Sequence, residues 1–383
     1  MMMKTLFFIS GLLSIYSYFL YPIILKLIPA RRTLEISNNT NNTNNTLLSM
    51  SLIITVHNEA SRIREKIENS LKLEYPDNLL EIIVASDFST DNTESIVDEY
   101  ADKGIQLVCA DERKGKEYAQ LCAIREANGK ILVFSDVATS IEKDALINLG
   151  RRFLTDEIGA ISSEDRFVSQ NGEIAGEGAY VAYEMWLRAL ESTRAGLVGL
   201  SGSFFAARAE VCEQWDISVP SDFNTALNCA KSGFVAISCS DVVGIYQDVK
   251  DPALEYRRKT RTVIRGINAI VRHLEVLNPF TMRLFAFQVW SHKVMRWLAP
   301  WFILLFLASS IVLYSTHWFF DLASYGQVIF YSLVLLGYSI PVSRNKILVK
   351  IPYFFVQVNI AIAHATLKYL FGTRITVWEP SKR

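Results

Sequence analysis

The chain is 383 residues long, and its 39 Lys and Arg residues balance 39 Asp and Glu residues, so its formal net charge is zero. Half of the residues are hydrophobic and 12% are aromatic. This composition excludes a disordered chain and a general polyanion-binding protein, since those need low hydrophobicity or a large net charge. Five cysteines without a CxxC pair argue against a zinc site or a disulfide scaffold and favour reduced thiols.

Four long apolar runs lie outside the central part of the chain and predict membrane spans. The first, Thr5–Leu25, has no charged residue and is long enough to cross a hydrocarbon core of about 30 Å. It is too long for the core of a signal peptide, so we interpret it as an anchor. The other three runs are Ala299–Thr316, Leu322–Val342 and Ile351–Leu367. Buried core helices of a soluble protein are the alternative, and four such runs make it the weaker interpretation.

Basic residues flank these runs unevenly, and this asymmetry predicts their orientation. Lys26, Arg31 and Arg32 follow the first run and only Lys4 precedes it, which places the central part of the chain in the cytoplasm. The last run contains several polar residues and basic residues follow it, so it either crosses the membrane or lies at its interface. We therefore predict a multi-pass protein of the cell membrane with a cytoplasmic central domain.

The central part begins after an Asn/Thr-rich stretch, which has no packing capacity and is typical of a linker. From residue 50 to about 249, short apolar runs alternate with helical patterns. The predicted strands are Ser51–Val56, Glu81–Ser86, Ile105–Cys109 and Gly129–Phe134. The predicted helices between and after them are Ser61–Leu73, Thr90–Lys103 and Lys116–Ala127. This order predicts a parallel sheet covered by helices, in which ligands bind beyond the carboxyl ends of the strands.

Polar side chains follow three of the predicted strands. His57, Asn58 and Glu59 follow the first strand, Asp87 follows the second, and Asp136 follows the fourth. No GxGxxG follows the first strand and no GxxxxGK[ST] occurs, which argues against a dinucleotide-binding domain and a P-loop NTPase. Carboxylates at strand ends instead suit a ribose, a base, or a divalent cation that holds a diphosphate.

Seven sequence pieces, in this order along roughly residues 50 to 265, resemble the membrane-bound family 2 glycosyltransferases, which are inverting enzymes with the GT-A fold. The pieces are ITVHNEA (Ile54–Ala60), EIIVASDFSTDNT (Glu81–Thr93), KGK (Lys114–Lys116), ILVFSDVATS (Ile131–Ser140), GSFFAAR (Gly202–Arg208), SDF (Ser221–Phe223) and EYRRKTR (Glu255–Arg261). The closing TVWEP (Thr376–Pro380) also resembles the membrane members of that family.

The resemblance implies an α/β fold class, namely a GT-A nucleotide-diphospho-sugar transferase domain with a mainly parallel sheet, plus α-helical transmembrane segments. The predicted domains are an N-terminal anchor (1–30), a linker (31–49), the cytoplasmic GT-A domain (50–265), interfacial helices (266–298), C-terminal transmembrane segments (299–371) and a tail (372–383).

By similarity, Val56, Glu59 and Asp87 would line the nucleoside pocket, with Asp87 on the base or the ribose. Lys116 would add a positive charge near the phosphates. The alternatives from the residues alone are a helix cap for Asp87 and a solvated lysine at a helix start for Lys116.

Three arginines, Arg257, Arg258 and Arg261, lie where processive members of the family carry a Gln-x-x-Arg-Trp loop over the donor, although the Trp is absent here. Their guanidinium groups suit a diphosphate leaving group. A basic run before a membrane segment suits anionic lipid headgroups as well, and both interpretations stay open.

The resemblance also implies a cation ligand and a catalytic base. Asp136 would carry Mg²⁺ or Mn²⁺, although Ala138 stands where the family usually has a second acid. Asp222 matches the catalytic base, and Ser221 stands in place of the first acid of that pair. The alternative for each aspartate is a helix-capping role.

The resemblance therefore implies a membrane glycosyltransferase that transfers a sugar from a nucleoside diphosphate sugar, with UDP the commoner nucleotide. The acceptor would be a lipid-linked or polysaccharide molecule, the reaction would invert the anomeric carbon, and nucleic acid is not an expected partner. Two other classes stay open: an inactive homologue that serves as a membrane scaffold, supported by Ala138 and Ser221, and a small transporter. The apolar runs contain few charges, which argues against transport.

Overall fold

The computed structural model describes residues 1–31, 47–168, 179–247 and 252–375. Most of the predicted linker and the TVWEP piece lie outside these residues. The chain divides into two compact units, each described by itself. The sheet unit consists of the described parts of Ile28–Lys250, Asn268–Ala286 and Ile375–Arg383, and the apolar unit consists of those of Met1–Leu27, Asp251–Ile267 and Phe287–Arg374.

The sheet unit contains a mixed sheet of eight strands among the described residues. In chain order they are β1 (Met50–Val56), β2 (Leu80–Ser86), β3 (Ile105–Cys109), β4 (Ile131–Asp136), β5 (Ser140–Ile141), β6 (Ile158–Val168), β7 (Phe204–Arg208) and β8 (Val235–Gln247). Their spatial order is β3-β2-β1-β4-β7-β6-β8-β5. The pairs among β1, β2, β3 and β4 are parallel, and so is the β6–β8 pair. The prediction of a mainly parallel sheet is thus confirmed for the first half, whereas β7 runs antiparallel to both β4 and β6.

Thirteen α-helices accompany the strands in the described part of the chain. They are α1 (Met2–Ile15), α2 (Tyr21–Leu27), α3 (Ile63–Ser70), α4 (Thr93–Asp98), α5 (Lys116–Glu126), α6 (Ala145–Arg152), α7 (Ala179–Ser192), α8 (Ser221–Lys231), α9 (Pro252–Arg272), α10 (Pro279–Val289), α11 (Met295–Leu313), α12 (Trp318–Ser339) and α13 (Ile347–Leu370). The predicted helix from Thr90 to Lys103 is shorter than expected: α4 ends at Asp98, and a 3-10 turn follows at Ala101–Lys103.

Two hydrophobic cores cover the two faces of the sheet. Leu52 and Ile54 of β1 belong to one core with residues of α3, α4 and α6, while Ile53 belongs to the other core with residues of α5 and α8. Since both faces are buried, the strand sequence is a continuous apolar run rather than an alternating one. The carboxyl ends of β1, β2 and β4 lie at one edge, where polar side chains begin.

Four helical stretches among the described residues are long and apolar enough to cross a membrane. The four candidate spans are Met2–Leu27, Pro279–Leu313, Trp318–Ser339 and Ile347–Leu370. They confirm the four predicted apolar runs and fit a membrane-bound form. The second stretch begins at Pro279, because the predicted interfacial segment leads through α10 and a π-helical turn (Trp290–Val294) directly into α11. A second π-helical turn (Tyr16–Leu20) joins α1 to α2, and the Tyr16 hydroxyl hydrogen-bonds Ser291 Oγ at 2.9 Å.

Candidate active site

Asp87 lies directly after β2 with only 1% of its surface exposed. Its Oδ1 accepts a hydrogen bond of 2.9 Å from the backbone N–H of Gly115, a residue whose φ of 100° glycine adopts freely. Its Oδ2 is buried without a hydrogen-bond partner among the described residues. Burial raises the pKa of this carboxyl group, although the Gly115 hydrogen bond and the charges of His57 and Arg113 oppose the rise. An orphaned buried oxygen is costly, so this one is suited to accept a hydrogen bond from a ligand.

The loops after β1 and β2 are tied together around Asp87. His57 Nδ1 lies 2.7 Å from the Asp87 carbonyl oxygen, which can only accept, so the imidazole donates from Nδ1. The Asn58 backbone N–H donates to Ser89 Oγ at 3.2 Å, and Asn58 Oδ1 accepts from the Thr90 N–H at 2.8 Å. These cross-links hold the rim of the candidate pocket in place.

Two other residues predicted for the nucleoside pocket differ in their surroundings. Val56 is the last residue of β1, and its carbonyl oxygen accepts from the Asp87 N–H at 2.9 Å, so it adjoins Asp87. Glu59 is buried, and Arg62 binds both of its carboxylate oxygens at 2.7 and 2.6 Å. Glu59 therefore has an ion-pair partner of its own at the start of α3, and its contact with a nucleoside stays a prediction.

Lys116 is the first residue of α5 and is 6% exposed. Its ammonium group lies 2.5 Å from Asp136 Oδ1 and 2.7 Å from the carbonyl oxygen of Gly202. The Asp136 backbone N–H in turn donates to the Ser203 carbonyl oxygen at 2.9 Å. The alternative of a solvated lysine is therefore wrong, because Lys116 is a buried cation that joins three segments.

Asp222 lies in the first turn of α8, beside Gly202. A Cβ placed on Gly202 would be 3.5 Å from Asp222 Oδ2, which measures how closely the carboxylate approaches this backbone. Within the part of the chain that the structure describes, no hydrogen bond or ion pair engages the Asp222 side chain, and Pro220 occupies the N-cap position. The helix-capping alternative therefore has no support, and the carboxylate is available to a ligand.

These contacts bring four predicted residues together. Asp87 contacts Gly115, the neighbour of Lys116; Lys116 contacts Asp136 and Gly202; and Gly202 adjoins Asp222. Acidic and basic groups far apart in sequence thus form one continuous path at the carboxyl edge of the sheet. Such a path can accept a polar ligand at one end, balance negative charge in the middle and remove a proton at the other end.

The three predicted arginines belong to α9, in the part of that helix assigned to the apolar unit. Arg257 and Arg258 are exposed, and Arg261 is half-buried. In this unit the Tyr256 hydroxyl at the same end of α9 lies 2.9 Å from His364 Nδ1 of α13. A role of these arginines at the donor phosphates or at lipid headgroups stays a prediction.

Asp136 is the predicted ligand of a divalent cation. The described residues contain no group of three or more His, Cys, Asp and Glu side chains that could hold a metal ion, and Ala138 packs against the core. Asp136 Oδ2 has no hydrogen-bond partner in the described ranges, while Oδ1 contacts Lys116. Mg²⁺ commonly binds through one or two carboxylates plus substrate phosphates and keeps several waters. A single carboxylate therefore fits a cation that arrives with a diphosphate.

Lys66 is a residue of this region that sequence reasoning missed. It lies on α3, is 2% exposed, and donates from Nζ to Ser135 Oγ at 2.7 Å and to the Thr139 carbonyl oxygen at 2.5 Å. Burial lowers the pKa of Lys66 to about 7, with the charge of Asp136 opposing this effect. The helical spacing from Ile63 to Ser70 puts Lys66 on the buried face of α3, and this was the available signal. Lys66 holds the loop that begins at Asp136.

Comparison with known proteins agrees with this arrangement. Residues 51–214 match the family described as Glycosyl transferase family 2. The probable glycosyltransferase YdaM of Bacillus subtilis is 32% identical over 175 residues, which cover 43% of this chain and 41% of YdaM. The poly-β-1,6-N-acetyl-D-glucosamine synthase of Staphylococcus epidermidis is 26% identical over 136 residues, which cover 35% of this chain and 32% of the synthase. The chain thus spans less than half of the length of these relatives.

A solved structure extends the likeness to nearly the whole chain at the level of the fold. The mannosyltransferase PcManGT from Pyrobaculum calidifontis, in complex with GDP-Man and Mn²⁺, superposes with a TM-score of 0.73 at 20% identity. The match covers 97% of this chain and 100% of PcManGT. The sheet unit therefore has the GT-A fold. The sequence match to the Glycosyl transferase family 2 model, over residues 51–214, lies within this unit.

Proposed function

We propose that this protein is a membrane glycosyltransferase that transfers a sugar from a nucleoside diphosphate sugar to a lipid-linked or polysaccharide acceptor. The observation that supports this most is the path of contacts from Asp87 through Lys116 to Gly202, which ends beside the unengaged carboxylate of Asp222. The alternative of an inactive scaffold has only the absent second acids in its favour. The intact path argues against it.

Asp87 would hold the nucleoside. A ribose hydroxyl or a base N–H that donates to Asp87 Oδ2 would give this buried oxygen the partner it lacks within the described chain. The Gly115 hydrogen bond on Oδ1 and the His57 hydrogen bond on the Asp87 carbonyl oxygen fix the direction of the carboxylate. We take UDP as the first nucleotide to test.

Lys116 and Asp136 would lie at the diphosphate. The Lys116 ammonium group is buried and held from two sides, so it offers a fixed positive charge to the phosphate oxygens without a cost for ordering its side chain. Asp136 would hold Mg²⁺ or Mn²⁺, which, when bound, neutralises part of the negative charge that develops on the leaving diphosphate. Lys66 keeps the backbone after Asp136 in place through Thr139.

Asp222 would act as the general base. Its carboxylate takes the proton of the acceptor hydroxyl while the acceptor oxygen forms a bond to the anomeric carbon and the bond from that carbon to the diphosphate oxygen breaks. Attack from the face opposite the nucleotide inverts the anomeric configuration. A positioned base contributes about 10²- to 10⁴-fold to the rate. One carboxylate suffices for this step, so Ser221 in place of a second acid does not preclude it.

The orientation of the basic residues next to the spans supports a cytoplasmic position for the sheet unit, where it would meet a cytoplasmic nucleotide sugar. Arg257, Arg258 and Arg261 would add positive charge toward the donor diphosphate or toward anionic lipid.

The experiment that tests this proposal measures transfer from radiolabelled UDP-, GDP- and dTDP-sugars into lipid extract by membranes that contain the protein. We expect labelled lipid or polymer from one donor, loss of label on chelation, and loss in Asp87→Ala. Asp102→Ala, which truncates an exposed aspartate of the same unit, is the matched control and should leave transfer unchanged. Absence of transfer from every donor, with no nucleotide-dependent rise in the thermal unfolding midpoint, would refute the proposal.

A further inference from the structure

Two serine hydroxyl groups donate to Asp165, a residue of β6 outside the path described above, and a third lies nearby. Ser201 Oγ lies 2.7 Å from Oδ1 and 2.8 Å from Oδ2, and Ser203 Oγ lies 3.0 Å from Oδ1. Ser163 Oγ lies 3.1 Å from Oδ1 but is closer to the Phe204 carbonyl oxygen, to which it donates at 2.7 Å. The two donating serines, Ser201 and Ser203, flank Gly202. The carboxylate of Asp165 is therefore the centre of a hydrogen-bond network that holds both sides of the Ser201–Gly202–Ser203 turn.

The backbone of this turn is anchored a second time from the same strand. The Ser201 N–H donates to Ser162 Oγ at 2.7 Å, and Ser162 Oγ also lies 2.5 Å from Arg188 Nη2 of α7. Ser162 and Ser201 are buried. Hydrogen bonds in such a buried network strengthen one another and restrict the motion of the groups that they join.

The same turn contacts all three groups proposed for the chemistry after nucleotide binding. The Gly202 carbonyl oxygen accepts from Lys116 Nζ at 2.7 Å, and the Ser203 carbonyl oxygen accepts from the Asp136 N–H at 2.9 Å. Asp222 Oδ2 adjoins Gly202. A shift of this turn by a few tenths of an ångström would therefore move the phosphate cation, the cation ligand and the base relative to one another.

A carboxylate is suited to this task because it accepts hydrogen bonds and cannot donate when ionised. Serine hydroxyls rotate freely, and an acceptor with four lone-pair sites can receive both of the hydroxyl groups that flank Gly202. Hydrogen bonds to an ionised acceptor are also shorter and about twice as strong as neutral ones.

We propose that Asp165 is a positioning residue, which fixes the Ser201–Gly202–Ser203 turn so that Lys116, Asp136 and Asp222 keep their places during sugar transfer. This inference rests on the proposed function. Among the described residues, no hydrogen bond or ion pair joins Asp165 to Lys116, Asp136 or Asp222, so Asp165 would act through the turn.

The test compares Asp165→Ala and Asp165→Asn with the wild type for the donor identified by the transfer assay. Because Asp87 is not hydrogen-bonded to the turn whereas Lys116 and Asp136 are, we expect Asp165→Ala to lower kcat at least about tenfold and to raise donor KM, while binding of the free nucleoside changes less than about threefold. Asp165→Asn keeps one accepting oxygen and should recover part of the lost kcat. Glu164→Gln is the matched control: it changes the neighbouring acid, whose ion-pair partner is Arg166 at 3.7 Å, and should leave kcat unchanged.

A double-mutant cycle separates positioning from a general loss of folding. Ser203→Ala removes one hydrogen bond of the network from the other side, so its effect on kcat should largely vanish in the Asp165→Ala background. All values of kcat are expressed per nucleotide-binding site, which removes the contribution of unfolded protein.

Two results would overturn this inference without refuting the proposed function. One is a kcat per binding site in Asp165→Ala equal to that of Glu164→Gln, and the other is additive effects of Asp165→Ala and Ser203→Ala on kcat. Absence of transfer by the wild type from every donor would refute the proposed function, and this inference with it.

Discussion

The substitution Gly202→Ala separates stability from catalysis at the candidate base. Gly202 is exposed and its φ lies outside the left-handed region, so alanine fits its backbone without strain. The nearest atoms to the added Cβ would be Asp222 Oδ2 at 3.5 Å and Cγ at 3.6 Å, which is ordinary van der Waals contact. Because a Gly-to-Ala change at a compatible position reduces the entropy of the unfolded chain, we expect the unfolding free energy to rise by about 0.4–1 kcal/mol or to stay unchanged.

The same methyl group should impair transfer. An acceptor hydroxyl must come within about 2.6–3.2 Å of the base, and a methyl group in contact with Oδ2 occupies one approach to that oxygen. A positioned base is worth about 10²- to 10⁴-fold, so partial obstruction should lower kcat by at least about tenfold. Donor KM should change little, because Asp87 lies at the other end of the path of contacts.

The assay measures kcat, donor KM and the thermal unfolding midpoint of purified protein in detergent. Gly326→Ala is the matched control, because a Cβ on Gly326 of α12 meets no atom of the described residues within 4 Å. A Gly202→Ala variant with an unchanged unfolding midpoint and a kcat within twofold of the wild type would refute the reasoning, since the acceptor would then not approach Asp222 past Gly202.

Three further predictions concern the sheet unit. Gly129→Ala would place a Cβ 2.5 Å from the Ser51 backbone nitrogen, so we expect a loss of at least about 1–3 kcal/mol of unfolding free energy, seen as a lower unfolding midpoint. Lys66 has a pKa lowered to about 7 from an ordinary value of 10.5, so above pH 7 the unfolded chain binds more protons and this residue makes stability rise with pH. Lys66→Met should flatten the rise in unfolding midpoint between pH 7 and 9, and an equal rise in the variant would contradict this. Asp136→Ala removes the carboxylate proposed for the cation and should weaken Mn²⁺ binding in the presence of UDP at least about tenfold, measured by electron paramagnetic resonance of free Mn²⁺; unchanged affinity would argue against Asp136 as the ligand.

The first half of the sheet could be predicted because each of its strands is buried on both faces. The predicted strand Ile105–Cys109 has the bounds of β3, and the other three end or begin within two residues of β1, β2 and β4. Continuous Ile, Val and Leu runs of this kind have few other interpretations once polar residues bound them. The ends of these apolar runs also predicted where the polar residues of the candidate site begin.

The second half of the sheet could not be predicted in the same way. Strand β6 (Ile158–Val168) contains the polar sequence Ser-Ser-Glu-Asp-Arg, which reads as a loop rather than a strand. Asp165 on this strand is hydrogen-bonded to Ser201 and Ser203, which lie 36 and 38 residues further along the chain. Contacts of this range depend on the fold and leave no local signal.

The pairing of Lys66 is a similar case. Its ammonium group contacts Ser135 and Thr139, 69 and 73 residues further along the chain. A lysine on the apolar face of a short helix indicates that it is buried, but only the assembled sheet shows which carbonyl oxygen it binds.

The most direct test of Asp222 as the base measures donor binding and sugar transfer on the same preparation of Asp222→Asn. Since Asn keeps the shape of the side chain but cannot take a proton, the variant should bind the nucleotide sugar with wild-type affinity while kcat falls by about 10²- to 10⁴-fold. Glu213→Gln, which changes an exposed carboxylate of the same unit, should retain both. Transfer by Asp222→Asn at the wild-type rate would contradict the account.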